Sequence, residues 1–294
     1  MTLPIMMSTE ILLLLLLLLY CEAYSVGGFS HSPASVPKLP ENPEDVARQA
    51  SASIQRAVLD GGIHRQTIRL PLSESMYARK EESFVADRAI GWQGGPQETY
   101  RFVSPMTESV LRQISLNDDK NSGLTPKIQR QILLDFDGSA LLNAQSPMGA
   151  LYDSLALVQP NTDNYYMELI EKVENEFSDT PGKAKRLFLL INPAWKDDPS
   201  SWGIFQSKKA KDKILDRYET TFALDQFIVK GNKISLFKSY PFDWTAYWTQ
   251  LRPSGTRESD DSSIEGATLL GSMPKRPTYL EVENMLDSAM AARS

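Results

Sequence analysis

The side chains that carry most metal, redox and nucleophilic chemistry are nearly missing: one Cys and two His occur in 294 residues. A single Cys excludes an intramolecular disulfide and every Cys-rich zinc arrangement. Two His leave too little for a His-rich metal cage or a Cys–His relay. A basic excess is lacking too. Lys and Arg total 31 against 37 Asp and Glu, giving a net charge of −6 and a pI near 5.2, which argues against nucleic acid as a partner. Gly-x-Ser-x-Gly, Gly-x-Gly-x-x-Gly and Walker-type phosphate loops are absent, so the commonest hydrolase and nucleotide signatures give no lead. What remains, 41% hydrophobic and 23% charged residues, is the composition of an ordinary globular chain, long enough for one large domain or two small ones.

The one long apolar run, Ile11–Leu19, has nine residues, eight of them Leu. A membrane-spanning helix needs about 20, whereas this length suits the core of a secretory signal. Cys21-Glu22-Ala23 then offers a cleavage site after Ala23, although no Lys or Arg precedes the run. Residues 24–40 are Ser-rich and contain no acid before Glu41. A secretory core followed by such a stretch resembles the two-part presequences of algae with secondary plastids. The expected address is the plastid, stroma or peripheral thylakoid, by way of a secretory signal; the alternative is a secreted protein. Cleavage after Ala23 would remove the Cys and two Glu, and a presequence reaching residue 40 would remove His31, leaving His64 alone.

Periodicity then predicts the folded part. Asn42-Pro43-Glu44-Asp45 combines a capping side chain, Pro at the first helical position and acids in the first turn. Val46, Ala50, Ile54, Ala57 and Val58 continue at helical spacing up to Gly61-Gly62. Strands are expected at 64–70, Ile132–Leu134, Leu155–Val158 and Leu187–Ile191, with helices at Thr107–Leu116, from Ser139, at Thr162–Phe177 and at Ser207–Thr220. Residues 223–229 and 233–238 read as a hairpin closed by Gly231-Asn232. The expectation is a single three-layer, Rossmann-like α/β domain over 41–252, its sheet mainly parallel with an antiparallel hairpin at the C-terminal side. Residues 253–276 read as a polar linker and 277–294 as a C-terminal helix.

In a parallel sheet ligands sit beyond the carboxyl ends of the strands, which directs attention to three segments. Asp135-Phe136-Asp137-Gly138-Ser139 looks like the first motif of haloacid-dehalogenase-type phosphotransferases, in which one Asp attacks phosphorus, the second handles a proton and Mg²⁺ balances charge. That motif usually opens its domain, however, and Asp197-Asp198 lies too far beyond Asn192 to complete the set. The bland reading is a strand end whose acids cap the next element. The helix start at Asn161-Thr162 could hold a small anion or nucleotide without chemistry, with Gly138, Ser139 and Asn192 as further ligand candidates. His64 begins a strand beside Arg65, where packing is a simpler role than catalysis. Trp92-Gln93-Gly94-Gly95-Pro96 reads as a turn.

Two surfaces stand out. Lys208, Lys209, Lys213 and Arg217 share one face of the Ser207–Thr220 helix, a face suited to an acidic partner or anionic lipid, or simply to water. On the C-terminal helix Leu280, Val282, Met285, Leu286 and Met290 form an apolar stripe that either docks on its own domain or meets a partner.

Four segments taken in order resemble a plastid domain-of-unknown-function family. They are Pro43–Ala50 leading to Ile68-Arg69-Leu70-Pro71, Asp137-Gly138-Ser139-Ala140-Leu141-Leu142, Leu189-Leu190-Ile191-Asn192-Pro193-Ala194-Trp195, and the hairpin with Gly231, Tyr240-Pro241 and Trp244. That family includes the low-photosystem-II-accumulation assembly factor, and a related domain follows a chloroplast adenylate kinase. The resemblance spans roughly 41–250 and implies a stromal or thylakoid-associated factor assisting photosystem assembly. It transfers no catalytic residue, cofactor or metal. The expected function is therefore binding rather than catalysis, with a thylakoid or photosystem assembly protein as partner, peripheral contact with anionic lipid as a possibility, and no transmembrane helix in the mature chain. A Mg²⁺-dependent phosphotransferase using Asp135 and Asp137 is the enzymatic alternative.

Overall fold

The computed structural model describes residues 36–72, 95–116, 125–134, 138–178, 186–195, 210–249 and 267–293. The signal-like run, Trp92–Gly94, Asp135, Asp137, Asp197-Asp198, Lys208, Lys209 and residues 253–266 lie outside these. Pro37–Ser294 forms one compact unit.

The opening helix α1 spans Pro43–Leu59, and the Asn42 side chain accepts the Asp45 amide at 2.8 Å. Its buried stripe of Val46, Ala50, Ile54 and Ala57 is the one its spacing predicts. The turn that follows it passes through Gly62, whose φ of +64° suits a residue without Cβ. Strand β1, Arg65–Arg69, follows. Helix α2 covers Pro96–Gln113, starting well before the predicted Thr107 because Gly95 and Pro96 provide a cap and a pre-set φ.

Strands β2 (Lys127–Leu134), β3 (Ser139–Gln145) and β4 (Ser154–Val158) come next, then helix α3 (Asn164–Ser178) and strand β5 (Leu187–Ile191). One π-helical turn, Lys211–Leu215, leads to β6 (Glu219–Val229), β7 (Asn232–Ser239), β8 (Trp244–Thr249), β9 (Ala267–Met273) and helix α4 (Tyr279–Ala291).

The nine described strands form one mixed sheet in the order β2-β3-β4-β5-β1-β6-β7-β8-β9. Only β4, β5, β1 and β6 run parallel. The wings, β2-β3-β4 on one side and β6-β7-β8-β9 on the other, are antiparallel. The molecule is thus α/β, but antiparallel pairing prevails and the mainly parallel, Rossmann-like expectation is corrected.

Three local readings change with it. Ser139–Gln145 is a strand, not a helix: Gly138 takes φ +62°, the chain folds back on β2, and Ala140, Leu142 and Ala144 alternate inward with period two. The strand at Ile132–Leu134 belongs to a longer β2 that is largely exposed, its Gln129, Arg130 and Gln131 forming a polar sheet edge. The helix expected over Ser207–Thr220 persists in the described residues only as the π turn, because Glu219 already pairs with Gln66 in the sheet. Strand β9 falls within the stretch that looked like polar linker.

Alternation gives the sheet two buried faces. Ile68, Ala156, Val158, Leu189, Ile191, Phe222 and Leu224 pack beneath α1 and α2. On the opposite face Leu155, Leu157, Phe188 and Leu190 meet α3 and the π turn through Met167, Ile170, Val173 and Ile214. Further along that face Ile234, Leu236, Trp244 and Ala246 receive Val282 and Leu286 of α4. The C-terminal stripe therefore docks largely on its own domain, while Leu280 and Met290 remain exposed. Among the described residues no helix is long and apolar enough to cross a membrane.

Candidate functional site

The chain leaving β1 enters α2 on one face of the sheet, whereas the chains leaving β4 and β5 enter α3 and the π turn on the other. Adjacent parallel strands whose connections diverge in this way open a crevice at their carboxyl ends. A cleft of about 1370 Å³ lies there, lined by Arg69 at the end of β1 and Leu70 after it, Gln159 and Asn161 after β4, and Asn192–Ala194 after β5. Gly95, Pro96 and Thr99 at the α2 start, Leu224–Ile228 of β6, Lys233 of β7 and Arg276–Tyr279 before and at the start of α4 complete it.

The floor is held by side chains that imitate backbone. Asn192 takes φ +45°. Its Oδ1 accepts the Leu70 amide at 2.6 Å, and its Nδ2 donates to the Leu70 carbonyl at 2.9 Å. This amide pair extends the β1–β5 ladder one step beyond the strands. Gln159, at φ +52°, donates its amide N–H to the Ile191 carbonyl at 2.8 Å and its Nε2 to the Pro96 carbonyl at 3.1 Å. The same carbonyl sets a limit on Gly138: a Cβ there would lie 2.6 Å from it and 2.9 Å from the Tyr100 Cβ. Arg69 donates to the carbonyls of Pro193 at 3.3 Å and Trp195 at 2.5 Å, holding the loop after β5.

Charge on the wall is uneven. Arg69, Lys233 and Arg276 face one acid, Asp225, among the lining residues. Arg276 pairs with Asp225 at 2.8 Å and lies over the Trp244 ring at 5.8 Å. Lys233 has no acidic partner among the described residues, and burial lowers the pKa of its ammonium group. The field of the described lining is positive.

Of the residues the sequence singles out, Asn161 and Asn192 enter this cleft. Gly138 abuts the α2 start just beside it. Ser139 is fully buried and accepts the Tyr166 hydroxyl at 2.6 Å. At the start of α3, Asn161 Oδ1 accepts the Asp163 amide at 2.7 Å and Asp163 Oδ1 accepts the Tyr165 amide at 3.1 Å. A carboxylate already sits on that helix N-terminus, with Thr162 in the bend before it, so an incoming anion would meet a like charge. His64 stands at the amino end of β1, away from the cleft.

That amino end carries a separate ionic cluster. Glu174 of α3, 3% exposed, meets Arg217 at 2.5 Å, Arg65 at 3.3 Å and the Tyr218 hydroxyl at 2.5 Å. Burial, chiefly, and the adjacent Glu174 charge push the Tyr218 phenol well up. Lys213 pairs with Glu171 at 2.5 Å. Two of the four residues expected on a partner or membrane surface, Lys213 and Arg217, are therefore engaged with acids of α3.

Sequence reading missed Arg69, Gln159, Lys233, Asp225 and Arg276. Pro193 after Asn192 marked a strand end, but nothing local indicated that Asn192 would bridge to Leu70, 122 residues earlier.

No curated protein and no solved structure matches the chain. A family model described as a domain of unknown function, DUF1995, matches residues 40–284 and so takes in every described strand and the first turns of the C-terminal helix. The chain belongs to the DUF1995 family.

Proposed function

We propose that this protein acts by binding rather than by catalysis, with the carboxyl-end cleft as its ligand site and an acidic partner as its ligand. One observation carries this reading: an open cleft at the point where the connections of β1 and β5 diverge, with three cations and one acid among its lining residues. The signal-like run and the Ser-rich stretch behind it support a plastid address. The resemblance to a plastid family that includes the low-photosystem-II-accumulation factor supports a role in photosystem assembly at the thylakoid, and the partner is then a thylakoid or assembly protein.

The test is affinity purification of the tagged protein from thylakoid and soluble fractions, alongside a Lys233→Glu variant. The expected result is a partner that travels with the wild type from thylakoids and is lost from the variant, together with reduced photosystem levels on deletion. Recovery as free protein from the soluble fraction, with photosystem levels unchanged by deletion, overturns the proposal.

A further inference from the structure

The cleft contains a feature that a small ligand does not need. Strand β1 pairs with β6 only as far as Arg69↔Ala223, whereas β6 continues to Val229. Beyond Ala223, residues Leu224–Val229 have β7 on one side and the cleft on the other, where Leu224–Ile228 form part of the wall. At about 3.3 Å per residue this six-residue edge is roughly 20 Å long.

The hairpin turn fixes which backbone groups face the opening. Lys230 and Gly231 both have positive φ, +48° and +78°, the signature of a two-residue type I′ turn. Its closing pair, Val229↔Asn232, therefore exchanges hydrogen bonds. The Leu224 N–H still meets the Arg69 carbonyl through the last β1 pair, Arg69↔Ala223, but alternation along the antiparallel ladder turns the N–H and C=O groups of Ile228 and Gln226 away from β7, into the cleft. No described group takes them up. An unpaired row of this kind is a template for another strand.

We infer that the free edge of β6 at Leu224–Val229 receives an extended acidic peptide segment of the partner, which adds to the sheet as a further strand in the place that β1 vacates. This rests on the reading of the cleft as a binding site and specifies its ligand. Main-chain bonds to Gln226 and Ile228 supply affinity without sequence preference. Selectivity comes from Arg69, Lys233 and Arg276, which surround the edge with positive charge, and Lys233, on β7 directly opposite Ile228, is available to a carboxylate of the guest. The exposed Ile228 side chain offers an apolar contact to alternate residues.

The experiment is fluorescence anisotropy of the full chain with a labelled eight-residue peptide alternating Val and Glu. Three comparisons accompany it: the same peptide with every backbone amide N-methylated, a Val/Lys peptide, and the Gln226→Pro variant. Proline at an outward-facing edge position removes a donor from the cleft while leaving the β7 ladder intact. The expected result is saturable binding of the Val/Glu peptide, weakened at least about tenfold by each of the three changes. Equal binding of the N-methylated peptide overturns strand addition. Equal binding of the Val/Lys peptide overturns the acidic guest. No binding of the Val/Glu peptide at about 1 mM overturns both. If Gln226→Pro fails to fold by circular dichroism, the N-methylated peptide on the wild type decides alone. A thylakoid partner lost with Lys233→Glu but retained with folded Gln226→Pro refutes strand addition and leaves the cleft reading in place.

Discussion

Asn192 does with one side chain what another pair of strand residues would do, and it does so at a φ of +45° that Asn tolerates better than most. Replacing it with Ala removes both bonds to Leu70, for an expected loss of about 2 kcal/mol read from urea denaturation. Asn192→Asp keeps an acceptor for the Leu70 amide and should lose less. Tyr247 gives a second residue-scale test. Its hydroxyl donates to the Pro37 carbonyl, and burial pushes its pKa up to about 12. The unfolded chain releases that proton near pH 10 and the folded chain does not, so above pH 10 the unfolded state binds fewer protons and stability falls. The urea midpoint should therefore decline between pH 10 and pH 12, and less steeply in Tyr247→Phe; equal slopes would remove Tyr247 from the explanation. Neither residue carried its role in the sequence. Asn-Pro after an apolar run marks a strand end, but which backbone an Asn amide reaches is decided by a strand over a hundred residues away.

At the scale of elements, α1 was readable because cap, proline, acids and apolar spacing agree within one stretch of chain. Strand β5 was readable because Leu187–Ile191 are apolar without interruption, as a strand covered on both faces must be. Strand β3 was not. Ser-Ala-Leu-Leu-Asn-Ala suits a helix by propensity, and a short apolar run does not separate the two periods. Tertiary pairing with β2 and β4 overrode the local preference. Helix α3 is fastened to the amino end of the sheet by Glu174, which is nearly fully buried between Arg65 and Arg217. Glu174→Gln keeps a partner for Tyr218 but leaves the part-buried Arg65 guanidinium without its counter-charge. The expected destabilisation is about 1.5–3 kcal/mol in thermal or urea unfolding, the usual range when hydrogen bonds to a charged group are lost. A loss below about 1 kcal/mol would class the cluster with exposed pairs.

At the scale of the whole molecule, the sheet order is what the sequence concealed. Alternating strand and helix patterns pointed to parallel crossovers, and the central four strands obey them. The wings do not, because β2 and β7–β9 pair through turns and connections whose partners are set by the whole sheet. The cleft was hidden for the same reason: Arg69, Gln159, Lys233 and Arg276 are scattered along the chain and meet only when β1 inserts between β5 and β6. A chain ending at residue 218 lacks β6 and leaves one edge of β1 without a partner. It should show no near-ultraviolet circular dichroism and no sigmoidal urea transition. A cooperative transition in that fragment would mean that β1 is held by α1 and β5 alone.

The position of β1 has a kinetic side. It is the first strand to be synthesised, yet Arg65 pairs with Phe188, 123 residues later, and Ile68 with Phe222, later still. Until those residues are available its edges have no partners, and the loop-closure cost of long-range pairing makes the final insertion slow. Strand β1 therefore stays uncommitted while the chain as far as β5 and β6 is being made. A sheet whose earliest described strand closes last cannot fold in the order in which it is made.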